Sequence, residues 1–329
     1  MRFRRRARTW GRGIVLACAL QLAGCAAAPA WAAQPCVGAP AGVPGWVSVV
    51  RIGVAREWIG ARFFRAGGSN SHPTLLLLHG FPGAELNLDL AHAVRRAGWN
   101  VIVPHYRGAW GTPGNFTWRH AIADAKAVLA WLRTPEAAAD YGVDARTLVV
   151  AGHSLGGFLA LTAAAGDADV RGAVSLAGFN FGAVTAGPGA RPGTEQQLAA
   201  LWQESAQWLS GASGAALARE AVQAGAQWDL RRLAVPLARR PLLLVAARYD
   251  QVAPPVLHHE RLLQSLRAAH ARTVEDVVLD TDHGFIDART GLAERLVGWL
   301  QAKFPGDTHR GGRCGAPTRA QAAELLPQG

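Results

Sequence analysis

The sequence predicts a mostly parallel central sheet with helices on both faces and one small helical insertion. Three observations carry this. From residue 74 to residue 304, apolar runs of strand length alternate with segments of helix length, the pattern of repeated strand–helix–strand units. The run Thr74-Leu75-Leu76-Leu77-Leu78 is continuously apolar, as expected of a strand buried on both faces. The chain has 329 residues, half of them hydrophobic and 17% charged, which suits a large core and argues against disorder.

The elements follow in order. Residues 46–52 and 58–64 read as two opening strands, and 74–78 as the first buried strand. Residues 86–96 read as a helix, 99–104 as a strand and 118–132 as a helix. Strands are then expected at 147–151, 172–176, 241–246 and 273–279, with helices at 155–165, 257–269 and 292–304. Residues 187–233 break the alternation, because they carry no strand signal. There Leu198, Leu201, Trp202, Trp208 and Leu209 fall at helical spacing, and Gly211, Gly214 and Gly225 interrupt the stretch. Residues 33–45 are rich in Pro, Gly and Ala and read as a linker. Residues 305–329 read as a tail, which leaves a domain over 46–304.

Residues 1–32 read as an export signal. Arg2, Arg4, Arg5, Arg6, Arg8 and Arg12 form a positive segment, followed by the short apolar run from Ile14 to Leu20, too short to span a bilayer. Two cleavage sites compete. Ala30-Trp31-Ala32 is a small-x-small site, after which the mature chain would be a periplasmic or secreted protein. Leu22-Ala23-Gly24-Cys25 resembles a bacterial lipobox, which would leave a lipid on Cys25 and anchor the chain to a membrane. The soluble product is preferred, since the lipobox is only four residues in an Ala-rich signal. Beyond the signal the body carries one cysteine near each end, Cys36 and Cys314, and an oxidising compartment would let them pair.

Charge excludes one class of partner. The formal charge is +11, but the signal holds six Arg and no acid, which leaves 28 basic against 23 acidic groups elsewhere. The remaining Arg residues are scattered without a run or aromatic interleaving, so nucleic acid is not an expected partner. No C-x-x-C or His/Cys cluster points to a metal.

In parallel sheets ligands bind beyond the carboxyl ends of the strands, so the residues after each strand matter most. Gly152-His153-Ser154-Leu155-Gly156 matches G-x-S-x-G between an expected strand and an expected helix, the context in which that pattern presents a nucleophile. The spacing needs glycine because a turn this tight brings backbone against backbone. Asp250 follows the strand at 241–246, and His283 follows the strand at 273–279. The chain order Ser, Asp, His assigns Ser154 as nucleophile, His283 as general base and Asp250 as the acid that orients it. Asp280 and Asp282 are rivals for the acid, but their position beside His283 makes reaching back to its Nδ1 awkward. His79-Gly80-Phe81-Pro82-Gly83 follows the strand at 74–78, with His79 read as a brace for the loop. Arg107, after the strand at 99–104, reads as a tie for its own loop, and His153 as a packed neighbour of the nucleophile.

With these loops in register the chain resembles the α/β-hydrolase superfamily over residues 46–304. The segment from Tyr106 to Gly114 is similar to a loop of the serine-aminopeptidase-like and prolyl-oligopeptidase-like hydrolases. His-Gly-Phe-Pro also occurs in epoxide hydrolases and dehalogenases, whose turn carries Asp where this chain has Ser154. The chain lacks the His-Gly-Gly-Gly loop of the hormone-sensitive-lipase-like esterases and any propeller-sized N-terminal region. The resemblance implies hydrolysis of a carboxylic ester, thioester or amide through an acyl-enzyme on Ser154. It implies an oxyanion hole formed by the backbone N–H groups of Phe81 and Leu155, and no cofactor. Esterase is the first expectation, peptidase the second and acyl transfer the third. A non-catalytic binding protein that keeps the fold is the reading from another class. The expected partner is a small-molecule or short acyl substrate, with a membrane involved only through Cys25.

Overall fold

The computed structural model describes residues 43–187 and 190–305, in which eight strands form one sheet in the order β1-β2-β4-β3-β5-β6-β7-β8. The hairpin of β1 (Trp46–Val54) and β2 (Glu57–Arg65) is antiparallel, and β2 also runs antiparallel to β4 (Asn100–Pro104). From β4 onward the sheet is parallel, through β3 (His72–Leu78), β5 (Val143–His153), β6 (Val170–Leu176), β7 (Leu242–Ala247) and β8 (Val274–Leu279). Leu75 lies opposite Val149, and Val174 lies between Ala151 and Leu243. The carboxyl ends of β3 through β8 therefore point the same way.

The leucine run of β3 shows how sequence produces the layers. Successive side chains of a strand point to opposite faces. Leu76 and Leu78 join one apolar layer, and Leu75 and Leu77 join the other. Helix α1 (Leu88–Arg96) and the last helix, α11 (Arg289–Lys303), cover the second layer, with Leu90, Val94, Leu292, Leu296 and Trp299 buried. The first layer takes α2 (Trp118–Trp131), α3 (Pro135–Tyr141) and α4 (Leu155–Gly166). Helix α4 is almost wholly buried, which explains its run of Gly, Ala and Leu: small residues let a central helix lie close to the sheet.

Between β6 and β7 the described residues form no strand. The chain makes α5 (Phe181–Thr185), α6 (Thr194–Ala206) and α7 (Gly214–Ala224), two 3₁₀ turns and α8 (Ala234–Leu237). After β7 come α9 (Pro255–His258) and α10 (Glu260–Ala268).

Three expectations need correction. The helix expected over 257–269 is two helices, α9 starting on Pro255 and ending at His258 and α10 starting at Glu260, with His259 capping both. Helix α3 was not expected, although Thr134 caps it by accepting from the Ala137 N–H and Pro135 occupies its first turn, a readable start signal. The apolar stripe of the insertion is divided. Leu198, Trp202 and Leu209 are buried, whereas Leu201 faces solvent one step round α6 from Trp202, and Trp208 faces solvent past the end of α6 at Ala206. The export signal, its lipobox with Cys25, and both Cys36 and Cys314 lie outside the described residues. Among the described residues no helix is long and apolar enough to cross a membrane.

Candidate active site

Strand β5 ends at His153 and α4 begins at Leu155, so Ser154 alone reverses the chain. Its φ of 56° and ψ of −117° are unusual for a residue with a side chain. Such a conformation persists only where the surroundings enforce it, at a cost of about 1–3 kcal/mol. Here its N–H donates to the Leu176 carbonyl at 2.9 Å, and its carbonyl accepts from Gly157 at 3.0 Å and Phe179 at 3.1 Å. A Cβ on Gly152 would overlap the Gly156 carbonyl, and one on Gly156 would overlap the Leu78 carbonyl. The two glycines of G-x-S-x-G are therefore required by backbone contact, within the turn and across to β3.

The loop after β3 passes directly over the serine: a Cβ placed on Gly80 would sit 3.2 Å from the Ser154 Cβ. His79 holds this loop from beneath. Its Nδ1–H donates to the Gly80 carbonyl at 2.7 Å, and Tyr106 donates its hydroxyl proton to the His79 carbonyl at 2.9 Å. Burial pushes the His79 imidazole down to about 3, so it stays neutral. Among the described residues neither Phe81 nor Leu155 donates its backbone N–H to a protein acceptor. Leu155 opens a helix, where free N–H groups and the helix dipole favour negative charge.

Asp250 and His283 meet across 33 residues of sequence. The His283 Nδ1–H donates to Asp250 Oδ2 at 2.6 Å. Asp250 Oδ1 accepts from the N–H groups of Val252 at 2.8 Å and Ala253 at 2.7 Å. Burial pushes the Asp250 carboxyl up, but the His283 bond and these two N–H groups outweigh it and hold it below the usual carboxylate range. The rival acids are engaged elsewhere. Asp280 pairs with Arg248, and Asp282 accepts from the Ile286 N–H at 3.1 Å. Ser154 Oγ makes no direct hydrogen bond to the imidazole among the described residues. The two loops are joined instead through the adjacent residue: the His153 Nε2–H donates to the His283 carbonyl at 2.7 Å, with the rings 4.8 Å apart. Burial first, and then the His283 charge, lower His153 to about 4, so it is a neutral donor near pH 7.

Three further residues shape the site without having been expected there. His258 is buried near Asp250, and its Nδ1 accepts from the Asn180 N–H at 2.9 Å. Asn180 donates from Nδ2 to Asp229 at 3.1 Å and accepts from the Leu230 N–H at 3.0 Å, which ties the insertion to the end of β6. Arg289 donates to the Gly284 carbonyl at 3.3 Å and to Asn87 Oδ1 at 3.0 Å and pairs with Asp89, so it clamps the His283 loop to α1. Only Asn180 had a readable signal, its place just past a strand end. His258 meets its partner across 78 residues, and Arg289 reaches Asn87 and Asp89 across 200 or more. Arg107 ties its loop to α2: its N–H and Nε donate to Asp124 at 2.8 and 2.7 Å. A groove of about 430 Å³ lies at the opposite ends of the strands, lined by Val170, Arg171, Arg240 and Pro241, far from these groups. Among the described residues no cluster of three His, Cys, Asp or Glu side chains is placed to hold a metal ion.

The sequence profile of the alpha/beta hydrolase family matches residues 75–295. No curated protein sequence matches the chain. Solved structures share the fold at low identity. GrgF, an alpha/beta hydrolase from Penicillium, is 18% identical with a TM-score of 0.59, over 79% of this chain and 100% of that one. Est1E from Butyrivibrio proteoclasticus is 14% identical with a TM-score of 0.58, over 78% and 99%. The acylaminoacyl peptidase of Pyrococcus horikoshii is also 14% identical with a TM-score of 0.58, but the match spans 79% of this chain and only 42% of that longer protein.

Proposed function

Because the chain belongs to the alpha/beta hydrolase family, we propose that it is a serine hydrolase that cleaves a carboxylic ester through an acyl-enzyme on Ser154. The observation that carries this is the 2.6 Å bond from His283 to the buried Asp250, on a loop fastened to the Ser154 turn through His153. Asp250 fixes the imidazole tautomer with the proton on Nδ1, which leaves Nε2 free to accept.

In the proposed reaction Ser154 Oγ forms a bond to the ester carbonyl carbon while its proton passes to His283 Nε2. The carbonyl oxygen becomes an oxyanion and takes hydrogen bonds from the Phe81 and Leu155 N–H groups. Collapse breaks the bond to the alcohol, which leaves with the proton from His283 and yields the acyl-enzyme. Water repeats the sequence, delivering its proton to His283 and releasing the acid and free Ser154. Amides and thioesters would be cleaved by the same groups. The ester comes first because an alkoxide leaves more readily than an amide nitrogen.

Replacement of Ser154 by Ala tests this. The variant should fold as the parent does and lose turnover by a factor of about 10⁴ or more. A fluorophosphonate should label the parent at Ser154 and leave S154A unlabelled. Ester hydrolysis retained by a folded S154A protein would overturn the proposal.

A further inference from the structure

The end of the sheet opposite Ser154 carries a groove of about 430 Å³, within the size range of small-molecule sites. Helix α4 ends there at Gly166, β6 starts at Val170, and α8 leads through Arg239 and Arg240 into β7. Strands β6 and β7 are parallel neighbours, and the Ala173 N–H donates to the Pro241 carbonyl at 3.1 Å, so their amino ends lie side by side.

Three arginines and no acidic residue line this groove: Arg171, Arg239 and Arg240. Arg240 is buried and holds the backbone. Its Nη1–H groups donate to the Asp167 carbonyl at 2.8 Å and the Val170 carbonyl at 2.9 Å, just past the end of α4. Its Nε is buried without a partner among the described residues. Burial above all lowers the Arg240 pKa; Asp167 opposes this and the charge of Arg239 adds to it, so the two guanidinium groups feel one another. Arg171 and Arg239 are exposed, and among the described residues neither side chain makes a hydrogen bond or an ion pair. The acids of the loop before β6 are not paired with them. Asp167 gives both carboxylate oxygens to Arg133, at 2.8 and 3.2 Å, and exposed Asp169 meets no cation among the described residues.

Like charges gathered in a concave surface raise the local positive potential and draw in anions. Arginine meets the oxygens of a phosphate with paired N–H donors. Three positive charges without an acid favour a dianion over a monoanion. The rest of the lining, with Ala168, Val170, Pro236 and Pro241, is apolar and suits a ligand that carries more than its charge.

We infer that the groove at the amino ends of β6 and β7 binds a small phosphate monoester with an apolar or aromatic body, its phosphate held by Arg171 and Arg239. The site is separate from Ser154, which follows the carboxyl end of β5, and it stands whatever reaction Ser154 performs. Calorimetric titration of the intact protein with phenyl phosphate tests it. Binding should saturate with a Kd of about 1 mM or below. Benzoate, a monoanion, and inorganic phosphate, which has no apolar body, should each bind about threefold or more weaker. Benzyl alcohol should give no saturable heat. Arg171→Gln with Arg239→Gln should weaken phenyl phosphate about tenfold or more at an unchanged melting temperature, whereas Arg261→Gln, on α10 outside the groove lining, should change it by less than about twofold. If the double variant does not fold, each single replacement in the groove should weaken binding about threefold. No saturation by phenyl phosphate, equal binding of benzyl alcohol, or folded groove variants that bind as the parent does would overturn the site. Inorganic phosphate binding as tightly as phenyl phosphate would overturn the apolar body, and benzoate doing so would overturn the phosphate.

Discussion

Three carboxylates follow β7 and β8 closely enough in sequence to serve His283, and their hydrogen bonds separate them. Asp250 uses one oxygen for the imidazole and the other for two backbone N–H groups, so its orientation is fixed from both ends. Asp282 uses its carboxylate to cap the turn at Ile286. Asp250→Asn should therefore lower kcat by about 10⁴, because an amide holds the wrong tautomer, whereas Asp282→Asn should cost less than about tenfold. Steady-state kinetics on one activated ester decides it, and a larger loss in D282N would reassign the acid. The meeting of Asp250 and His283 was legible in the sequence because each follows its own strand, in the order Ser, Asp, His. The residues that brace them were not. His153 meets the His283 carbonyl across 130 residues and His258 meets Asn180 across 78, and neither pairing leaves a local pattern.

At the scale of elements, the strands were readable from continuous apolar runs, and their ends differ from expectation by a few residues. Helix phase was harder to read. Leu201 lies next to Trp202 in sequence, yet a 100° step turns it to solvent, and composition alone does not show which neighbour faces inward. Two joints carry the element-scale predictions. The β5–α4 turn tolerates no side chain at position 156, so Gly156→Ala should destabilise the fold by about 1–3 kcal/mol or prevent folding, read as a fall in denaturation midpoint or loss of soluble protein. Helix α2 begins with two N–H groups on the Glu220 carboxylate of α7. Glu220→Ala should cost about 1.5–3 kcal/mol, the range for hydrogen bonds to a charged group, whereas Glu195→Ala on α6, which among the described residues pairs only with exposed Arg219 at 3.8 Å, should change stability by less than about 0.5 kcal/mol.

For the whole molecule, three neutral histidines make acid the weak direction. Burial lowers His79 to about 3, and His153 and His258 to about 4, against 6.5 in an unfolded chain. Between those values the unfolded chain binds protons that the folded chain does not, so stability is full above about pH 6.5 and falls as the pH drops toward 4. Each group adds up to about 1.4 kcal/mol per pH unit over its window. Asp250 acts lower still: its folded value lies below 3.8, so its contribution is present above 3.8 and is lost as the pH falls through the folded value. The melting temperature should drop steadily from pH 7 to pH 4.5 in calorimetry, and a flat profile would mean that the three imidazoles are hydrated. The two ends of the sheet differ in another respect. Strand β8 carries Glu275 and Asp276, paired with Lys303 and Arg267, the kind of charge that keeps a sheet edge from recruiting a stranger. Strand β1 ends the other side of the described sheet with Val47 and Val49 facing solvent, Val49 76% exposed. Concentrated protein should therefore aggregate edge to edge through β1 before any other surface, and Val49→Lys should raise the concentration at which light scattering begins.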